Sequence, residues 1–221
     1  MNKVLGVYGA GGCGRGIMPL LRQQAGTLPR GQLYFIDDHC GVAELNGQPV
    51  ASWAQFVALE CREKALCIAI ANSVVREKLA LACAAAGVGF VSVTAANVVI
   101  MDDVTIGEGA ILSPFVTITS NVRIGRHFHA NLYSYIEHDC IVGDFVTLAP
   151  GAHVNGNIVL EDHAYVGSGA VIKHGLPGKP IVIGRGAVVG AGAVVTKSVP
   201  PGMTVVGNPA RPLVKPGPGR A

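Results

Sequence analysis

The sequence predicts an α/β N-terminal domain of half-Rossmann type over residues 1–95, a parallel β-helix over 96–212, and a flexible tail over 213–221. Three observations carry this. Short apolar runs alternate with helical stretches in the first part, a glycine-rich turn follows the first run, and from Ile100 onward a branched aliphatic residue recurs at every sixth position. Composition agrees: 30 of the 221 residues are Gly and only 14% are charged, against about 25% in an average domain. Such a chain suits many short strands joined by tight corners, and half of it is apolar, which excludes general disorder.

In the first part, Val4–Tyr8, Leu33–Ile36, Leu66–Ile70 and Gly89–Val93 read as buried strands. Cys13–Gln24 reads as a helix opening from the glycine turn. Ser52 and Gln55 have the spacing of a capping box, Ser followed three residues later by Gln. Ser73–Ala86 reads as a helix with Ser73 as N-cap and Gly87 as stop. Strand–helix–strand alternation implies a small parallel sheet.

From Ile100 the sixth positions are Ile106, Leu112, Ile118, Ile124, Ala130, Ile136, Val142, Leu148, Val154, Leu160, Val166 and Ile172, with Ala130 alone outside Ile, Leu and Val. After Leu176–Pro180 the register slips by one residue and resumes at Ile183, Val189 and Val195. A period of six is neither that of a helix nor that of a simple alternating strand. It fits a chain wound into a prism, with one short strand per hexad and the branched residue pointing inward. Three hexads make a coil, and coils stack as parallel strands about 4.8 Å apart.

Composition also narrows the function. The net charge is +3 with no run of Lys or Arg, which argues against duplex nucleic acid as a partner. Six Cys without a CxxC pair read as reduced thiols. The longest strongly apolar stretch, Leu79–Phe90, is too short to span a bilayer, so no membrane insertion is expected. The N-terminus has no cleavable apolar segment, so a cytoplasmic location is expected. Seven His occur without helical HxxxH or zinc-like Cys/His spacing, so no metal is expected.

Two motifs carry chemistry. Gly9-Ala10-Gly11-Gly12-Cys13-Gly14 satisfies GxGxxG between a strand and a helix, and Asp37-Asp38 follows the second strand, which is the context of a dinucleotide fingerprint. Four strands make only half a nicotinamide-binding domain, which suits the diphosphate of a mononucleotide better. A tight turn without ligand, and ordinary turn acids at 37 and 38, are the alternatives. His138 lies at an outward hexad position between Glu137 and Asp139. A neighbouring carboxylate raises imidazole basicity and fixes the tautomer, as a general base near neutral pH requires. A solvated corner His beside two surface acids is the other reading. Gly156, eighteen residues on, and His174, thirty-six on, fall on the same face. Gly156 would leave an open slot between them for a thin acyl carrier.

The hexad pattern resembles the hexapeptide-repeat left-handed β-helix family, mostly trimeric acyltransferases. The whole chain resembles bacterial sugar O/N-acetyltransferases of the NeuD and PglD type. Its carriers are Tyr8–Gly14, Asp37-Asp38, Ile68–Asn72, Glu137–Asp144, Pro150-Gly151-Ala152 with Gly156-Asn157, and Val206–Arg211. Asn131–Asp139 looks like the branch acting on GDP-perosamine. The resemblance implies acetyl-CoA-dependent N-acetylation of the C4 amine of a nucleotide-linked 4-amino-4,6-dideoxy sugar, for bacterial surface glycans, by a homotrimer. It implies His138 as general base and Asp139 as its partner. Gly11, Gly12 and Cys13 match the phosphate site, Asp37 and Asp38 the base or ribose, Ala71 and Asn72 a further substrate edge, and Asn131 a contact beside the sugar. Thr147, Ser168 and Gly186 match positions along acetyl-CoA. The loop departs from the family's usual Gly-Ala-Ser-Gly-His-Gly by Gly11 for Ser and Cys13 for His. O-acetylation of sialic acid or another sugar, and a non-catalytic nucleotide-binding β-helix, are the alternatives.

Overall fold

The computed structural model describes residues 3–213; most of the tail expected at 213–221 lies outside the described residues. The α/β part contains β1 (Lys3–Tyr8), α1 (Gly12–Gln24), β2 (Leu33–Ile36), β3 (Glu44–Leu45), β4 (Gln48–Ala51), α2 (Trp53–Ala58), β5 (Glu63–Ile68), α3 (Ser73–Ala85) and β6 (Gly89–Phe90). The sheet order is β3-β4-β2-β1-β5-β6, parallel except for the β3–β4 hairpin. The sheet therefore has six strands where four were expected. The two missed strands are short, and β4 carries Pro49, which pattern reading demotes.

The Ser52–Gln55 capping box forms as expected, with Gln55 N donating to Ser52 Oγ and Ser52 N to Gln55 Oε1. The expected Ser73 cap does not. Asn72 is the N-cap of α3, its Oδ1 accepting from Val74 N and Val75 N, both at 3.1 Å. Asn is as good a cap as Ser, and here it stands one residue earlier with its side chain aimed at the first turn.

From Val93–Thr94 the chain winds into a three-faced parallel β-helix, with an eight-stranded, a six-stranded and a five-stranded face. We call these the first, second and third faces in that order. Along the first face Ile111 pairs with His129, His129 with Thr147 and Thr147 with Tyr165, a step of eighteen residues per coil. The inward positions Ile118, Ile136, Val154 and Ile172 are at most 1% exposed, each contributing about 1.5–3 kcal/mol by burial. Ile100 breaks the rule and is 44% exposed, because it lies in the terminal coil, where no further turn stacks below it. The slip after Ile172 is a five-residue insertion. Ile158 pairs with Ile181, twenty-three residues on, and Leu176 and Lys179 close the extra residues into a small hairpin. Gly89–Val93 is not one strand: it stops at Phe90, and Val93 already pairs with Ile111 of the β-helix.

Each coil turns through residues in the left-handed backbone region. Phe115 and Tyr133 occupy the corner between the first and second faces, Asp139 and Asn157 that between the second and third, and Phe145 and His163 that between the third and first. Asn and Asp tolerate this conformation best. Among the described residues no helix is long and apolar enough to cross a membrane.

Candidate active site

The carboxyl ends of β1, β2 and β5 gather the first set of expected residues. The chain reverses direction across the sheet between β1 and β5, and ligands of open parallel sheets bind at such a switch point. Gly9 has φ +104, and a Cβ there would press on Ile70 Cδ1 at 2.9 Å. A Cβ on Gly14 would overlap the Gly9 carbonyl oxygen. The fold itself therefore demands these two glycines. Gly11 and Gly12 are exposed, and a Cβ on either would meet no protein atom within 4 Å. Only something approaching the N-terminus of α1 from outside would be hindered by a side chain there, and Gly11 offers that helix no side-chain cap. Cys13 follows, exposed, in the first turn.

Asp37 and Asp38 are engaged within the protein. Asp37 accepts from Ala10 N and His39 N, each at 2.9 Å. Burial raises its carboxyl, but these backbone donors outweigh that and hold it below the usual carboxylate range. Asp38 accepts from Trp53 N at 2.8 Å and from the Tyr8 hydroxyl at 3.4 Å. Burial and then Asp38 push the Tyr8 phenol up to about 12. Asp37 thus ties the glycine loop to the end of β2, and Asp38 seats α2. Both shape the crevice.

A cleft of ≈450 Å³ lies beside the first turn of α3, and its walls include Ala71, Asn72, Thr147, His163, Tyr165 and Gly186. Residues expected at a substrate edge and residues expected along acetyl-CoA therefore share one cavity. Thr147 is only 4% exposed and accepts a hydrogen bond from Arg76, so its hydroxyl is committed inward. Gly186 has φ +64 with open space outside it, leaving a bare corner. Ser168 is exposed at the corner between the first and second faces, away from this cavity's lining, whereas Gly186 stands at the corner between the third and first. Asn131 is half-buried and donates to Leu148 O at 2.8 Å, so its amide braces the corner below Tyr133.

His138 stands at the corner between the second and third faces, its side chain 56% exposed. Its Nδ1 lies 2.7 Å from Asp139 Oδ2. Asn121, one coil earlier, donates to Asp139 Oδ1 at 3.1 Å. The hydrogen bond with His138, then that from Asn121, hold the Asp139 carboxyl below its ordinary range. If Nδ1 carries the proton toward Asp139, Nε2, which lies over Gly156, is the nitrogen left to accept one. The slot expected at Gly156 is taken by the imidazole itself: a Cβ on Gly156 would stand 2.5 Å from His138 Cε1. Glu137 completes the seat by accepting from Gly156 N at 3.0 Å. His174 is exposed in the next coil. Cys140 is 1% exposed and burial pushes its thiol up to about 11, which removes it as a nucleophile. Among the described residues no group of three or more His, Cys, Asp or Glu could hold a metal ion.

Sequence reading missed two features. His127, Phe145 and His163 stack along the corner between the third and first faces, with centroids 5.1 and 5.4 Å apart. Their eighteen-residue spacing was the available signal. Phe145 is 4% exposed within this ladder; it belongs to the seam between the two parts of the chain, not to an outer surface. Arg76 of α3 is fully buried, and no sequence signal marked it, because its β-helix partners lie more than fifty residues away.

The family model described as "Bacterial transferase hexapeptide (six repeats)" matches residues 139–174. A GDP-perosamine N-acetyltransferase of Escherichia coli O157:H7 is 49% identical over 211 residues, covering 95% of this chain and 96% of that protein. The solved structure of WeeI from Acinetobacter baumannii AYE is 58% identical, with a TM-score of 0.95, over 96% of this chain and 100% of that one. The acetyltransferase domain of PglB from Neisseria gonorrhoeae FA1090, solved in complex with acetyl coenzyme A, is 28% identical, with a TM-score of 0.84, over 96% and 100% of the two chains.

Proposed function

The chain belongs to the GDP-perosamine N-acetyltransferase family of hexapeptide-repeat transferases, and from that premise we propose how its residues carry the reaction. It is an acetyl-CoA-dependent N-acetyltransferase acting on a nucleotide-linked amino sugar. The substrate is a 4-amino-4,6-dideoxy sugar, with GDP-perosamine the first choice, and the C4 amine is the nucleophile. The His138–Asp139 pair is the observation that carries this reading.

The sugar amine attacks the thioester carbonyl carbon directly. The C–N bond forms, His138 Nε2 takes the proton the amine loses, and the tetrahedral intermediate expels coenzyme A thiolate, which takes that proton back from the His138 imidazolium. Asp139 keeps the Nδ1–H tautomer and stabilises the imidazolium. The nucleotide diphosphate lies against Gly11, Gly12 and Cys13 at the N-terminus of α1. Acetyl-CoA lies along the flank of the β-helix, where Gly186 offers bare backbone.

Within one chain, His138 and the α3 cleft occupy different corners of the prism. A homotrimer joins the base of one subunit to the glycine crevice of its neighbour. The test is a panel of GDP-, UDP- and dTDP-linked 4-amino sugars with thiol release from acetyl-CoA as the readout. Turnover is expected with the GDP-linked sugar. Mixing His138→Ala subunits, which lack the base, with Gly12→Val subunits, whose crevice binds the sugar nucleotide weakly, should raise the activity at subsaturating sugar nucleotide above that of either variant alone. Absence of that rise in verified mixed trimers would place the whole site within one chain.

A further inference from the structure

The buried guanidinium of Arg76 is unused by the reaction just described. All five of its hydrogen bonds go to carbonyl or hydroxyl oxygens. Nη1 donates to Ile70 O at 2.8 Å and Ala71 O at 3.2 Å, Nη2 to Phe145 O at 2.6 Å and Thr147 Oγ1 at 3.0 Å, and Nε to His127 O at 3.1 Å. Burial pulls it down to about 10, so it remains charged at neutral pH. Among the described residues no carboxylate pairs with it. A fold that needed only to fill this space would place an apolar side chain there, since a buried charge is costly. The acceptors tell what the charge is for. Ile70 and Ala71 follow directly on β5: Ile70 flanks the glycine loop, where a Cβ on Gly9 would stand 2.9 Å from its Cδ1, and Ala71 lines the neighbouring α3 cleft. His127, Phe145 and Thr147 belong to two successive coils of the β-helix.

We propose that Arg76 is a positioning residue that bolts the wall following β5, beside the nucleotide-sugar crevice, to the acetyl-transferring coils, and so sets affinity for the sugar nucleotide. The proposal rests on the acetyltransferase reading above. A planar fork is required, because one group must reach five acceptors in two directions; a lysine ammonium has three donors on one atom. Misplacing a wall that lies away from the reacting atoms weakens binding of the ligand it contours while leaving proton transfer at His138 in place.

The experiment measures steady-state kinetics on full-length wild type, Arg76→Met, Arg76→Lys and Thr147→Val. Wild-type turnover of an amino-sugar nucleotide comes first; its absence would sink the acetyltransferase reading and not this one. With turnover established, Arg76→Met should raise the KM for the sugar nucleotide about tenfold, with kcat within about threefold and the KM for acetyl-CoA unchanged. Arg76→Lys should be nearly as impaired, because it restores charge without the fork. Thr147→Val removes one acceptor in a nearly isosteric way and should raise the same KM about two- to threefold. Full rescue by Lys would overturn the fork argument. A rise in the acetyl-CoA KM alone would assign the wall to the other substrate. Should Arg76→Met fail to fold, an unchanged sugar-nucleotide KM in Thr147→Val would overturn the proposal.

Discussion

His138 is held by neighbours on two coils: Asp139 beside it, itself braced by Asn121, and Gly156 beneath the ring. More than half of its side chain faces solvent, so its removal costs little packing. His138→Ala should lower kcat by about 10²–10⁴-fold while leaving the melting temperature within a degree or two. Asp139→Asn should cost less, about tenfold to a hundredfold, because Nε2 stays in place but the tautomer is no longer enforced. Asn also accepts the left-handed backbone at φ +57, so no strain confuses the result. Near-wild-type turnover of His138→Ala at neutral pH would remove it as the base. Gly12→Val is the matching test of the crevice. The added side chain meets no protein atom, so a raised KM for the sugar nucleotide with unchanged acetyl-CoA KM reports the ligand itself. Equal loss of both would place the phosphate elsewhere.

The elements differ in how openly the sequence announced them. The β-helix was legible because every inward position obeys one steric rule, and a rule repeated each six residues survives single exceptions such as Ala130. The glycine loop, α1 and the capping box of α2 were legible for a similar reason: each is decided by residues within a few positions of one another. The β3–β4 hairpin was not, because two-residue strands owe their existence to a sheet edge that waits for them. The shared cleft was not either, since Asn72 and Thr147 meet only once α3 has docked. The docked seam carries a pH dependence. His127 is 2% exposed, its Nδ1 is unpartnered, and its ring lies against Phe90 and Phe145. Burial, then Arg76 and Arg126, push it down to about 4, with Asp144 opposing. Buried His129 is likewise held well below its ordinary value. Between pH 6.5 and about 4 the unfolded chain binds protons that the folded chain refuses, so stability is complete above 6.5 and falls as pH drops through that window. His127→Phe keeps the stack and removes one of these protons. Its melting temperature should fall less between pH 7 and pH 4.5 than that of wild type, as scanning calorimetry would show; parallel slopes would mean that His127 is not the titrating group.

At the scale of the whole molecule, the corner between the first and second faces carries an exposed aromatic ladder. Phe115 and Tyr133 stack face to face at 4.7 Å and 4° between the first and second faces, yet they are 51% and 62% exposed. Leu132 and Val99 nearby are 43% and 49% exposed. The corner between the third and first faces carries a comparable ladder, but α3 and β6 cover it, and Phe145 is buried there. The homotrimer proposed above would cover the exposed ladder with another copy of the chain, since stacked rings left in water invite association. Tyr135 is better provided for: it stacks on His153 at 4.5 Å and its hydroxyl donates to Asn155. The decisive residue is therefore Tyr133, which is 62% exposed and stacks on Phe115. Tyr133→Glu places a charge on the exposed ladder without touching the core, and the wild-type oligomer should give way to a species near the 22.7 kDa of one chain in multi-angle light scattering. If the base of one subunit serves the crevice of the next, the same variant should lose turnover in proportion to the trimer lost, although His138, Asp139 and Gly12 are all intact within it. A fully active monomer would show that one chain suffices; an inactive variant that is still trimeric would move Tyr133 from the interface into the site.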